Sequence, residues 1–391
     1  MIIGALFRTY GHPKDGRWDL KQFVLGMATD QHGIPLFLQT FSGNESDKKT
    51  LLAIITQLTE NLRHPGRVYH IADAAFYTAE NLATLGTHTF WISRVPATLN
   101  EVKELVAADL SLQPCADDRY RYAEHVSEYA GIPQKWVVYH SAPMQEQQEK
   151  TFAKRLEKDK KKAETSLRKL GAREFACELD ARIAAGKWLQ EHPQFRFSSL
   201  EFRTTTRKKT KKRGRPKADE PVETVYTISA EIEYNPEVVA ENRQKLGRFV
   251  LATNDLELSP DELLANYKEQ GAVERGFRFL KAPSFRLAEI YLKKPSRIQA
   301  LAMIMVLCLF IYAMTEFRLR RKLQENGETV TGQTKKQTRK PTLKWVFFRF
   351  RGVRELRFQA GEAVTVLVTN MNPEFWKILG LLGTEYENYY L

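Results

Sequence analysis

The spacing of apolar residues changes period several times along the chain, and each change marks an expected element. Residues 22–29 and 34–41 are rich in strand formers and flank a turn at Asp30, Gln31, His32 and Gly33, which predicts a hairpin. A turn-rich stretch follows, and residues 48–61 then carry Leu51, Leu52, Ile55 and Leu58 at helical spacing. A short strand at 68–72 ends at Asp73, and a helix near 78–85 and a strand at 89–95 come next. The first hundred residues thus read β-β-α-β-α-β, an α/β layer.

Beyond residue 99 the texture changes. Residues 145–191 are dense in Lys and Glu at helical spacing and predict one long charged helix, with strands at 134–140 and 222–229 around it. The run 207–217 holds eight basic residues in eleven with nothing apolar to bury, so it is expected as a solvated loop. A strand pattern returns at 247–253. Ser259, Pro260, Asp261 and Glu262 then open a helix, with Pro at its first position and carboxylates in its first turn, that runs to about 280. Residues 300–314 are fifteen uninterrupted apolar residues, short of the roughly 18–20 that a bilayer requires. They are expected to lie in a buried core helix over 296–324, with no membrane association. A basic loop at 335–344 and a small α or α/β region complete the chain, and no internal repeat is visible.

Composition narrows the function classes. At 43% hydrophobic and 27% charged, the chain can bury a sizeable core, which excludes disorder as a whole. The 60 Lys+Arg exceed the 47 Asp+Glu by 13, which favours a polyanionic partner, nucleic acid being the commonest. The three cysteines (Cys115, Cys177 and Cys308) are far apart, and the eight histidines form no HxxxH or Cys-paired set. A disulfide framework and a structural zinc are disfavoured, and a reducing cytosol fits. Residues 1–7 lack the basic flank and cleavage pattern of a secretory signal.

Two carboxylates stand where chemistry could occur. Asp73 ends a strand beside small residues, in Ile71, Ala72, Asp73, Ala74, Ala75. Glu274 lies mid-helix with Gln270 at i−4, Tyr267 at i−7 and Lys281 at i+7, so an unbroken helix would set all four on one face. Leu263, Leu264 and Phe277 are left for packing. An acid, an amide, a phenol and a cation together suit a divalent metal beside a phosphate. On spacing alone the plainer reading leads: Asp73 as a strand-end or capping residue, and Glu274 as an i,i+4 partner of Arg278.

The run Tyr267, Gln270, Glu274, Lys281 resembles the Tyr-x-x-Arg-x-x-x-Glu-x-x-x-x-x-x-Lys signature of DDE transposases of bacterial insertion sequences, the IS-four superfamily. The stretches Tyr10 to Gln22, Ile71 to Tyr77 and Glu274 to Lys281 look like one branch of it, in order over nearly the whole chain. Gln270 departs from the signature, which usually has Arg there. The resemblance implies an α/β, RNase H-like catalytic core interrupted by a large α+β insertion domain. On that reading residues 1–98 are the first part of the core, 99–245 the insertion with the charged helix and basic loop, 246–330 the catalytic-Glu helix and core helix, and 331–391 a small basic region.

The implied chemistry is cleavage and strand transfer at insertion-sequence ends, run by three carboxylates around two Mg²⁺ (or Mn²⁺) ions. Asp73 matches the second acid and Glu274 the third, both as metal ligands. Tyr267, Gln270, Arg275, Arg278 and Lys281 would contact DNA. The first acid has no match: Asp15 and Asp19 lie in an approach loop and Asp30 in the hairpin turn. The sequence is therefore expected to be N-terminally truncated, with the first catalytic Asp and a central strand missing, the two-metal site incomplete and strand cleavage lost. A non-catalytic DNA-binding remnant is the alternative.

Within the basic loop, Arg213, Gly214, Arg215, Pro216 and Lys217 resemble an AT-hook core, in which Arg213 and Arg215 would lie along a narrow minor groove. Non-specific phosphate binding and a plain solvated loop stay open beside it. Trp91 is expected in the core rather than stacked on a base. The implied partners are double-stranded DNA at terminal inverted repeats and a second copy on paired ends. The implied location is the bacterial cytoplasm, at the nucleoid when DNA-bound.

Overall fold

Apolar alternation, helical periodicity and turn residues produce the following order along the chain. It opens with β1 (Phe23–Thr29), β2 (Pro35–Ser42), α1 (Asp47–Asn61), β3 (Tyr69–Ala72), α2 (Ala79–Leu85), β4 (Phe90–Arg94) and α3 (Asn100–Ala107). Next come β5 (Gln113–Pro114), β6 (Tyr120–Ser127), β7 (Gln134–Ser141), α4 (Ala142–Gly171), α5 (Glu178–Glu191), β8 (Phe195–Lys208), β9 (Val222–Tyr234), α6 (Pro236–Gln244) and β10 (Arg248–Thr253). The remainder is α7 (Pro260–Lys268), α8 (Gly271–Leu280), α9 (Pro295–Glu325), β11 (Val330–Thr331), β12 (Gln337–Thr338), α10 (Leu343–Phe350), β13 (Arg354–Ala360), β14 (Ala363–Thr369), α11 (Pro373–Leu382) and α12 (Thr384–Asn388). This is a computed structural model, and it describes residues 9–11, 16–61, 64, 66–208, 222–281, 291–360 and 363–390. The chain is mixed α/β and divides into two compact units, one of Met1–Ser93, Tyr129–Ile132 and Glu262–Leu391, the other of Arg94–Glu128 and Pro133–Asp261.

In the first unit, β1 and β2 pair antiparallel from Phe23↔Ser42 onward. Their turn closes because Asp30 Oδ1 accepts the N–H groups of His32 (2.9 Å) and Ile34 (2.8 Å), while Gly33 takes φ +83°, a conformation glycine adopts freely. β3 and β4 pair parallel, with Ala72 opposite Ser93. Among the described residues, β1–β2 is a ladder of its own, separate from β3–β4. Trp91 is fully buried and meets Phe76 and Tyr77 edge-on, in the core role its sequence setting suggests. Thr78 caps α2, and buried Asn81 donates to the carbonyls of Phe76 (2.9 Å) and Lys48 (3.1 Å), tying α2 to α1. Met27, Leu280, Met305 and Leu309 form the core between β1, α8 and α9.

In the second unit, β10, β7, β6 and β5 form an antiparallel run in that order. Trp136, Tyr139 and Leu251 are fully buried in it, and the Tyr139 hydroxyl donates to the Pro260 carbonyl at 2.6 Å. A second cluster packs α4 and α5 on the β8–β9 ribbon through Ala163, Leu167, Leu170, Trp188, Phe195 and Ile228. Gly171 is required there, since a Cβ would stand 2.8 Å from the Ile228 carbonyl oxygen.

Several expectations need correction. The charged helix expected over 145–191 is two helices: α4 ends at Gly171, the Phe175 backbone exchanges both hydrogen bonds with Tyr226 (2.9 Å each), and Cys177 caps α5. The helix expected to run to 280 is also interrupted. Glu269 and Gln270 bond to the carbonyls three residues back, and Gly271 opens α8 anew. The apolar helix is in place as α9 but is not wholly buried. Ile298, Ala302, Met305 and Leu309 face inward, whereas Met303 is 72% exposed and Ile304 59%. By length and composition α9 is also long and apolar enough to cross a membrane, and 22% of its most apolar stretch is buried. Arg207 and Lys208 belong to β8 rather than to a loop, and the expected basic loop at 335–344 contains β12 and the first residues of α10.

Candidate functional site

Asp73 is held by its backbone. β3 stops at Ala72, the Asp73 carbonyl accepts from the Phe76 N–H (3.1 Å) and the Ser93 hydroxyl (3.1 Å), and its Oδ1 accepts from the Ala75 N–H at 2.9 Å. The side chain is exposed, and Oδ2 has no protein partner among the described residues. Asp73 thus has the strand-end role that spacing suggested, closing the turn after β3 while Thr78 caps α2, and it leaves half the carboxylate free. Ser93 was invisible as a supporting residue. The only signal for it was a small hydroxyl residue in the strand whose register sets it opposite Ala72.

Glu274 presents the opposite case. α8 turns Ala272, Gly276 and Leu280 inward, where a Cβ on Gly276 would come within 2.8 Å of Met27 Cε and 3.3 Å of Leu309 Cδ2. This phase sends Glu274, Arg275, Arg278 and Lys281 outward, all exposed. The expected pairing of Glu274 with Arg278 is not formed, and none of the four has an ion pair or side-chain hydrogen bond among the described residues.

The four-residue face expected from an unbroken helix is divided. Glu274 and Lys281 belong to α8 and its C-cap, half-buried Tyr267 to α7, and Gln270 to the junction, where its Oε1 is buried without a partner.

Among the described residues, neither Asp19 nor Asp30 supplies a free carboxylate on a core strand. Asp19 pairs with Arg17 at 3.0 Å in an exposed turn, and Asp30 closes the hairpin. Asp15, and the basic-loop residues Arg213, Arg215 and Lys217, lie outside the described residues. Asp73 and Glu274 both fall in the first unit. Among the described residues, however, no group of three or more His, Cys, Asp or Glu is placed to hold a metal ion. Two carboxylates, one with an oxygen already engaged, do not fit a three-carboxylate, two-metal centre, so no chemical step is derived through one here.

Three residues before Asp73, half-buried His70 sits on β3 with Nε2 3.1 Å from Thr59 Oγ1, and burial lowers its pKa below the ordinary histidine value.

The described residues thus set one anchored carboxylate at a strand end and a second among unpaired cations on an α/β fold. A family model described as the transposase DDE domain matches residues 4–311, a span that takes in Asp73, Glu274 and their supporting elements. The chain belongs to that family. No match to a curated protein or to a solved structure was found. Transposases of this family act on DNA and generally use a divalent metal.

Proposed function

We propose that the chain is the DNA-engaging body of a bacterial insertion-sequence transposase of the IS-four superfamily. In this reading an RNase H-like core carries Asp73 and Glu274, and the second unit is its insertion. The substrate is duplex DNA at terminal inverted repeats, engaged by paired copies, at the nucleoid in the cytoplasm. Arg275, Arg278 and Lys281, with Tyr267 and Gln270 behind them, meet the DNA backbone, and the loop of Arg213, Arg215 and Lys217 adds a minor-groove or phosphate contact. The observation that carries this is the outer face of α8, where one carboxylate and three cations are exposed without partners on a helix that the family match covers.

The chain by itself binds without cutting. One observation favours this: among the described residues no group of three or more His, Cys, Asp or Glu is placed to hold a metal ion. A binding-only remnant accounts for that. Mobility shift and nicking assays on terminal-repeat duplex with Mg²⁺ or Mn²⁺ test it. The expected outcome is a shifted complex and intact strands. Cleavage lost in Asp73→Asn would overturn the inactive reading, and absence of any shift would overturn the DNA reading.

A further inference from the structure

One face of α4 has no part in the reading above. Lys158, Lys161, Lys162, Thr165, Ser166 and Lys169 line a shallow open concavity of about 500 Å³. Their offsets of 3, 4, 7, 8 and 11 residues from Lys158 put them on one helical face about 16 Å long at 1.5 Å per residue. The opposite face is committed to the second unit's core through Ala163, Leu167 and Leu170. That packing fixes the rotation of the helix and points the lysines to solvent.

Charge on this face is not neutralised. Lys161 pairs with Glu157 at 3.3 Å across an exposed i,i+4 step, a pair worth little in water. Lys158, Lys162 and Lys169 are exposed and have no carboxylate partner among the described residues. A hydroxyl lies between the cations at Thr165. Ser166 is fixed by accepting from the Trp188 indole N–H at 3.1 Å.

We infer that this face of α4 is a second DNA-backbone contact, a phosphate-binding stripe on the second unit that reads no sequence. The inference rests on the proposed DNA reading and extends it to another surface. Several chemical features select duplex backbone over other polyanions. The Thr165 hydroxyl already donates to the Lys161 carbonyl at 2.8 Å, so the free donors of the stripe are chiefly ammonium groups, which satisfy phosphate oxygens as point charges. It has no aromatic ring on which an unpaired base could stack. Its apolar side is already buried, so the helix has no hydrophobic face to insert into a lipid surface. Three free cations over about 16 Å lie within reach of the roughly four or five phosphates that one strand presents over that length of duplex axis, at about 3.4 Å each.

The test is affinity for a 30-base-pair duplex of arbitrary sequence as a function of salt, using the full chain. The variants are Lys158→Gln/Lys162→Gln/Lys169→Gln and the charge-keeping Lys158→Arg/Lys162→Arg/Lys169→Arg, each with its circular dichroism melt compared with the parent. Each lost phosphate contact should lower the slope of log K against log salt by about 0.9, so the Gln variant should lose about 2–3 in slope and on the order of a hundredfold in affinity at 0.1 M salt. The Arg variant should keep both. A parent that binds with salt dependence, together with a Gln variant of unchanged slope, would overturn the stripe while leaving the DNA reading standing. A parent that does not bind would overturn both.

Discussion

Asp73 and Glu274 occupy contrasting surroundings within one compact unit. The first is fixed by three hydrogen bonds around its own turn and backed by the Phe76–Trp91 core. The second stands on a helix whose inner face is packed but whose outer face touches nothing described. An acid held by its own fold has a defined place before any ligand arrives. An acid among unpaired cations has a defined helix but no defined partner, and it acquires one only when a polyanion or metal comes. The two carboxylates therefore differ in what each has in place before any ligand arrives.

The contrast breaks most severely where the frame under Asp73 is removed. Trp91→Ala deletes a fully buried ring between Phe76 and Tyr77, and such truncations cost about 3–5 kcal/mol. Urea unfolding should show that loss. A cost below about 1 kcal/mol would mean that β4 is not the support described here.

Much of this frame was legible in the sequence. The hairpin, β3, α2 and β4 follow from alternation and turn residues, and Asp73 was found because a strand pattern stops at it. Other features depended on partners far along the chain. Nothing local says that Phe175 pairs with Tyr226, the contact that separates α4 from α5. The break before α8 had a local signal in Gly271, but the Tyr-to-Lys spacing outweighed it. Residues 300–314 of α9 are apolar all round, so periodicity does not say which side is covered, and composition alone suggests that both are. Of the site, the two acids and the cations of α8 were legible. Ser93 and the buried Gln270 oxygen required coordinates.

A sharper comparison exchanges each carboxylate for its nearest relatives. Asp73→Ala removes the acceptor of the Ala75 N–H and should cost about 1 kcal/mol, as loss of a typical intramolecular hydrogen bond does. Asp73→Asn keeps an oxygen there and should restore most of it. Glu274→Gln should change stability by less than about 0.5 kcal/mol, because no described group depends on that charge. Denaturant midpoints for the three variants decide the matter. A Glu274→Gln effect as large as that of Asp73→Ala would erase the distinction between anchored and unpartnered acid.

The smallest effect concerns the strand that delivers Asp73. His70 sits in β3 beside Thr59, and burial disfavours its charged form, so its folded pKa lies below the ordinary unfolded value of about 6.5. Above the unfolded pKa both states hold a neutral ring, and stability does not depend on it. As pH falls between the unfolded and the folded pKa, the unfolded chain binds the proton first, so stability declines by at most about 1.4 kcal/mol per pH unit for one group. Below the folded pKa the loss is complete and the dependence ends. His70→Gln cannot titrate and should flatten the decline that begins below the unfolded value of about 6.5, while leaving the plateau above it near the parent's shape. Unfolding free energies measured at closely spaced pH values check it. If the parent and the variant decline in parallel, the interior around β3 is open to water and Asp73 is less firmly held than its hydrogen bonds indicate.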